Sequence, residues 1–354
     1  MALASPGRLR TALLLAAGLI VAGTSSALYE APAGSDGVTV ATAAGTDARV
    51  TTLTGHRSPF DPLGLATPVP VPVPVPAGSA AVRPGAVTVT AGAGLCTSGF
   101  VFTSGEKVLL GQAAHCGGTG ADTETDGCTS ATVPTGTPVT VRATDGGTGE
   151  GITGTMVYSS WVAMQQDGEK DPDTCAYNDL ALVELPADAA ARTNPSVPFF
   201  GGPAGVHDGG LAPGAAVFGL GNPVGAAERS AGGTSVGTAT RTLRPRVGTA
   251  GEDVGGGWGH TVYTTAQGVP GESGAPLLDE SGRAVGLLSS LNVGGERESI
   301  EYTDLARSLD YARLHGDLPD LALAAGTDPF TPTPAGVAST DLAAPAGPPV
   351  AAAR

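Results

Sequence analysis

The sequence predicts an all-β protein of the sandwich or barrel type, and three observations carry that prediction. Turn-forming residues are abundant and aromatic ones scarce, with 55 Gly and 29 Pro against 4% aromatic residues. That mix suits short strands joined by many turns. Between residues 86 and 290 the apolar runs are short, and turn residues separate them. A single convincing helix pattern stands at the end of this region, as a closing element and not as the frame.

Taken in order, the chain opens on Arg8 and Arg10, followed by 13 uncharged, mostly apolar residues at 11–23 and then Ser25-Ser26-Ala27. This is the order of a secretory signal peptide. The run is short for a membrane span, so residues 1–27 read as a signal, with an uncleaved N-terminal anchor as the alternative. Residues 28–87 read as a Pro/Gly/Ala-rich linker or pro-segment. Within them Pro68 to Pro76 alternates as PVPVPVPVP, which removes every second backbone donor and predicts an extended polyproline rod.

Strands are expected at 86–89, at 100–102 and 108–110 as a hairpin, and at 138–142, where apolar and polar residues alternate. Further strands are expected at 180–185, 215–219 and 261–264. A second hairpin joins 276–278 to 284–289 across Asp279-Glu280-Ser281-Gly282. The helix is capped by Thr303 or Asp304, lines Leu305, Leu309 and Ala312 on one face, and ends at Gly316. The folded region is therefore expected at 88–318, with 319–354 as a disordered Ala/Pro-rich tail.

The formal net charge is −15, which argues against nucleic-acid or anionic-membrane partners, since both need basic patches. The four cysteines, Cys96, Cys116, Cys128 and Cys175, read as two disulfides in an exported chain. Three pairings are open at this level. None has CxxC spacing and no histidine cluster accompanies them, so no metal site is expected.

Three stretches carry chemistry. Gln112-Ala113-Ala114-His115-Cys116 follows a strand and sets a histidine beside a cysteine that can bridge back to Cys96, which would hold a general base rigidly. Asp179 heads the apolar run 180–185, where a carboxylate needs a partner. Gly271-Glu272-Ser273-Gly274-Ala275-Pro276 holds a hydroxyl in a Gly-rich turn whose amides can converge on one point. Each has a bland reading by itself: a surface histidine, a turn aspartate, an ordinary turn. Their order, His then Asp then Ser, differs from that of the α/β-hydrolases and of subtilisin and agrees with that of the chymotrypsin-like enzymes.

On these residues the sequence resembles the chymotrypsin-like serine peptidases, particularly the secreted bacterial ones. Ala113 to Cys116 matches the family's histidine motif, Asp179-Leu180-Ala181-Leu182 its aspartate motif, and residues 271–276 its GDSGGP serine motif with two changes. The resemblance implies two six-stranded antiparallel β-barrels with the site between them and a C-terminal helix closing the second. It implies Ser273 as nucleophile, His115 as general base, Asp179 as the partner that orients the imidazole, and the amides of Gly271 and Ser273 as the oxyanion hole, with no cofactor and no metal. It sets Gln267 at the base of the specificity pocket and Ser289 at the start of the substrate-pairing strand. The disulfides expected are Cys96–Cys116, across the short hairpin, and Cys128–Cys175, by exclusion.

Two departures stand out. Glu272 replaces the family's aspartate, and no Ile-Val-Gly-Gly start stands near residue 88 to pair with it, so a basic side chain or solvent is expected instead. Ala275 replaces a glycine whose backbone angles could matter. Gln267, Ser289, Ser290 and Gly294-Gly295 bring no strong charge to the pocket, which implies a small or medium uncharged residue before the cleaved bond. The function expected is a secreted serine endopeptidase, monomeric, acting on protein or peptide substrates, and tethered to the cell wall or membrane only if the N-terminal segment is retained. The alternative is a catalytically silent binding or cell-envelope protein on the same fold.

Overall fold

The computed structural model describes residues 76–121, 124–142, 151–222, 243–264, 268–293 and 298–333. The signal, most of the linker with its proline repeat, Gln267, Gly294-Gly295 and the end of the tail lie outside the described residues.

Two β-structures divide the chain. The first uses β1 (Val87–Thr90), β2 (Leu95–Thr97), β3 (Val101–Ser104), β4 (Lys107–Gln112), β5 (Pro138–Arg142), β6 (Ile152–Ser159) and β7 (Ala181–Glu184). Every pairing among them is antiparallel, β3-β4-β7-β6-β5-β1-β2 in order. The strands β2 and β3 are halves of one bent run. Gly99 N–H bonds Gly111 O at 2.7 Å and Gly111 N–H bonds Phe100 O at 2.9 Å, so the ladder to β4 continues through the bend. One half pairs with β1 and the other with β4, which curls the sheet toward a barrel. The second structure is a closed barrel in the order β10-β13-β12-β11-β8-β9. Its members are β8 (Ala216–Gly221), β9 (Arg244–Val254), β10 (Gly259–Thr264), β11 (Pro276–Leu278), β12 (Ala284–Asn292) and β13 (Ser299–Asp304). The expected all-β double-barrel architecture is the one found.

The second barrel is filled by Val217, Ala250, Val262, Leu277, Val285, Leu288, Ile300 and Tyr302. A larger apolar cluster fills the first barrel and runs on to the outer face of the second, through Phe218, Leu220, Val247 and Leu287. The C-terminal helix, α4 (Leu305–His315), docks there with Leu305, Leu309 and Ala312 buried, which is the predicted face. Asp304 caps it, with Oδ1 accepting Arg307 N–H at 2.8 Å.

Four expectations change. The terminal helix has company: α1 (Ser160–Asp167), α2 (Pro172–Tyr177) and α3 (Ala187–Ala190) stand between β6 and β8. The cap and proline of α2 were readable, since Asp171 accepts Thr174 N–H at 2.8 Å and Pro172 opens the first turn. Strands β2, β6, β9 and β13 also escaped the pattern search. At the N-terminal side the packed chain starts before 88, because Val82 is buried and bridges to Thr193. At the other end, residues 319–333 are part of the domain and not of a tail. Leu321 is buried, β14 (Ala322–Leu323) pairs with β3, and the Phe330 ring meets Phe218 edge-on at 5.4 Å. Among the described residues no helix is long and apolar enough to cross a membrane.

Candidate active site

The loop after β4 closes into a 3-10 turn, Ala114–Gly117, which carries His115. Cys116 ties this turn to β2 through a disulfide to Cys96 with Cα atoms 6.1 Å apart. The second disulfide joins Cys128 to Cys175 on α2, with Cα atoms 5.2 Å apart. Both pairings are those expected from the sequence. The helix α2 then delivers Asp179, just before β7, into the gap between the barrels.

Asp179 is 3% exposed and its carboxylate is fully engaged. Oδ2 lies 2.7 Å from His115 Nδ1 and accepts Ser289 Oγ–H at 2.7 Å; Oδ1 accepts the His115 backbone N–H at 2.9 Å. Burial alone would raise its pKa, but the charge and hydrogen bonds of His115, with that of Ser289, outweigh burial and hold it below the usual carboxylate range. The bland reading of Asp179 as a turn or cap residue is thereby replaced: it is a buried acceptor built around one histidine. Ser289, expected to pair with substrate, spends its hydroxyl on this carboxylate.

The serine turn comes from the other barrel. Gly271 and Gly274 take φ of 101° and 90°, a region that suits glycine alone. Ala275 has an ordinary backbone and is fully buried, so glycine is not required there. The turn is tied across the barrel gap, since Thr97 Oγ1 donates to Gly271 O at 2.8 Å and Thr97 N–H to Ser273 O at 2.9 Å. Within the turn, Glu272 N–H bonds Val269 O at 3.1 Å and Gly274 N–H bonds Leu288 O at 2.6 Å. A methyl on Gly274 would overlap Thr97 O and stand 2.9 Å from Ala113 N, so the serine and histidine loops touch through this glycine.

Glu272 meets a basic side chain, one of the two outcomes the sequence left open. Its Oε2 lies 2.6 Å from Arg246 Nη2, both groups are almost fully buried, and the same oxygen accepts Val269 N–H at 3.0 Å. Burial pulls the Arg246 pKa down, but Tyr302 and Glu272 beside it outweigh burial and raise it.

His115 and Asp179 line one cleft of about 410 Å³ with Gly271, Ser273 and Ser289. Trp161 of α1, which sequence reasoning missed, borders it with its ring centroid 6.4 Å from that of His115. The other described histidines lie elsewhere: His207 pairs with Asp279, His260 with Asp253 and Asp304, and His315 with Asp167. His115, held at Nδ1 by the buried Asp179, thus lines the same cleft as Ser273.

The trypsin-like peptidase domain model matches residues 97–287, just over half of the chain. The chain belongs to the trypsin-like peptidase family. No curated protein sequence matches it significantly. Among solved structures it is similar to protease A of Thermobifida fusca, at 18% identity over 70% of this chain and 100% of that one, TM-score 0.39. It is also similar to a chymotrypsin of Cellulomonas bogoriensis, at 17% identity over 69% and 98%, TM-score 0.37. A Glu endopeptidase aligns at 16% identity over 68% and 95%, TM-score 0.41. Family membership rests on the domain match, which spans His115, Asp179 and Ser273 together.

Proposed function

We propose that this trypsin-like peptidase is a secreted serine endopeptidase that cleaves peptide bonds through His115, Asp179 and Ser273. The observation that carries the reading is the 2.7 Å contact of His115 Nδ1 with the buried Asp179, in the cleft that Ser273 also lines. In this reading Ser273 Oγ attacks the substrate carbonyl carbon while His115 Nε2 takes the hydroxyl proton. The C–N bond then breaks as His115 returns that proton to the leaving amine, and water repeats the cycle on the acyl-enzyme. Asp179 keeps the proton of His115 on Nδ1, and the amides of Gly271 and Ser273 meet the oxyanion. Secretion is supported by the N-terminal leader and by the two disulfides, with attachment to the cell surface following only if the leader is kept.

A fluorophosphonate probe tests the reading. The processed protein should label at Ser273, Ser273→Ala should abolish labelling, and Asp179→Asn should lower kcat by about 10⁴-fold with the fold retained. A folded protein that fails to label would instead be a silent binding protein on this fold.

A further inference from the structure

His115 and Asp179 meet although they stand 64 residues apart in the chain. The Cys96–Cys116 disulfide anchors the His115 turn to β2, in the wall of the first barrel. Cys128–Cys175 does something else, since neither of its cysteines lies on a strand. Cys128 belongs to the long loop from β4 to β5, and Cys175 to α2.

That loop starts from the histidine turn itself. Val133 N–H bonds Gly117 O at 2.8 Å and Thr119 N–H bonds Ala131 O at 2.9 Å, so the returning chain pairs with the residues that follow His115. Farther out, the loop reaches α2 twice, through the disulfide and through Gly127 N–H to Cys175 O at 2.8 Å. Cys128 follows His115 by 13 residues, and Asp179 follows Cys175 by four. The sulfur bridge therefore closes His115 and Asp179 into a short covalent ring, where the main chain alone would leave a far longer tether. Trp161 fills the ring. A methyl on Gly127 would overlap its side chain, and one on Gly118 would stand 3.4 Å from its Cζ3. Gln165, on the same helix as Trp161, donates from Nε2 to Gly127 O at 2.8 Å and to Ser130 O at 2.9 Å. On the strand side of Asp179, Ser160 Oγ–H donates to Asn178 O at 2.7 Å, and the same oxygen accepts Leu180 N–H at 3.1 Å. On the helix side, α2 has only six residues, too few to hold a position unaided.

We propose that the Cys128–Cys175 disulfide is a positioning element for the catalytic pair: by closing this ring around Trp161 it keeps the Asp179 carboxylate seated on His115 Nδ1. The proposal rests on the peptidase reading of the same site. Neither cysteine lines the cleft, so both act through Asp179 and not on the substrate.

The test compares the processed protein with the double variant Cys128→Ser/Cys175→Ser, which leaves no stray thiol. Active sites are counted with the fluorophosphonate, so that kcat refers to competent molecules alone. With the ring opened, kcat should fall by roughly 10- to 100-fold, the range that a misplaced catalytic group costs. The fall is smaller than that for Asp179→Asn, because Ser160 still holds the chain beside the carboxylate. KM should stay as it was, since the loss falls on the transition state. The downfield N–H proton resonance given by a short His115–Asp179 hydrogen bond should broaden or vanish in the same variant. Lowered stability alone would reduce Tm and move neither of these readouts. If the double variant does not fold, dithiothreitol takes its place on the wild type. It converts Cys128–Cys175 to two thiols as it closes to its own cyclic disulfide, and Cys128 is the one cysteine of the four that is partly exposed. Alkylation and peptide mapping identify the bond opened, and reoxidation should restore the rate. An opened ring that keeps either the wild-type kcat or the imidazole resonance overturns the brace and leaves the peptidase reading intact. A folded wild type that does not label at Ser273 overturns both.

Discussion

Arg246 and Glu272 form a buried ion pair directly under the serine turn, and its worth lies in what happens when half of it is removed. The pair crowds Gly221, where a methyl would stand 3.0 Å from Glu272 Oε1. Burying two charges is costly, and the 2.6 Å contact offsets it together with the hydrogen bonds from Val269 N–H to Glu272 and from Arg246 to Leu220 O. Glu272→Ala should therefore cost about 3–5 kcal/mol in denaturant unfolding, because it removes the one carboxylate that balances the buried Arg246 charge in this pair. Arg246→Met together with Glu272→Leu should recover most of that loss. If the double variant is as unstable as the single one, packing and not charge is at fault. At this scale His115, Asp179 and Ser273 were legible, because each sits in a short local motif. Arg246 and Trp161 were not. They join the site from positions distant in sequence, and no local spacing marks such an encounter.

At the scale of elements, β10 and β13 share a charged pin. His260, 1% exposed, sets Nδ1 2.7 Å from Asp253 of β9 and Nε2 2.9 Å from Asp304 at the head of α4. Burial would lower its pKa, but the hydrogen bonds and charges of Asp304 and Asp253 prevail and raise it. The sign follows from linkage. A histidine whose pKa is higher folded than unfolded adds stability that is complete below about pH 6.5. That stability is lost as pH rises through the folded value. His260→Gln should therefore cost about 3 kcal/mol at pH 6, from two charge-assisted hydrogen bonds. The gap to wild type should shrink as pH rises toward 9. Urea unfolding at several pH values reads this, and a gap independent of pH would contradict it. The strands that alternate or stand between clear turns were readable from sequence, as at 138–142 and 276–289. In contrast β9 carries Pro245, Gly248 and Gly251 and looks like a breaker. Its glycines are there because neighbours press in, and a methyl on Gly248 would stand 2.6 Å from Tyr263 O. Pairing with β8 and β10 on both sides overrides its weak propensity.

For the whole molecule, the segment beyond α4 acts as a strap. It pairs with β3 of the first barrel and then crosses to the connection between the barrels. There Ser196 Oγ accepts the N–H groups of Thr327 and Asp328, each at 2.9 Å, and Phe330 ends against Phe218 of the second barrel. A chain stopped after Leu318 loses the burial of Leu321 and Phe330. It should unfold about 3 kcal/mol more easily, with Tm lower by roughly 6–12 °C by calorimetry. An unchanged Tm would remove the strap from the stabilising contacts. Composition misled the boundary here, since Ala, Pro and Gly describe a packed crossing as well as a loose end. The bent run that ends β2 has a wider effect. Thr97 belongs to one barrel, yet it grips the carbonyls of Gly271 and Ser273 in the other. Neither barrel holds the serine turn alone, so probe labelling at Ser273 reports their docking: a chain whose barrels have parted, each still folded, would be silent.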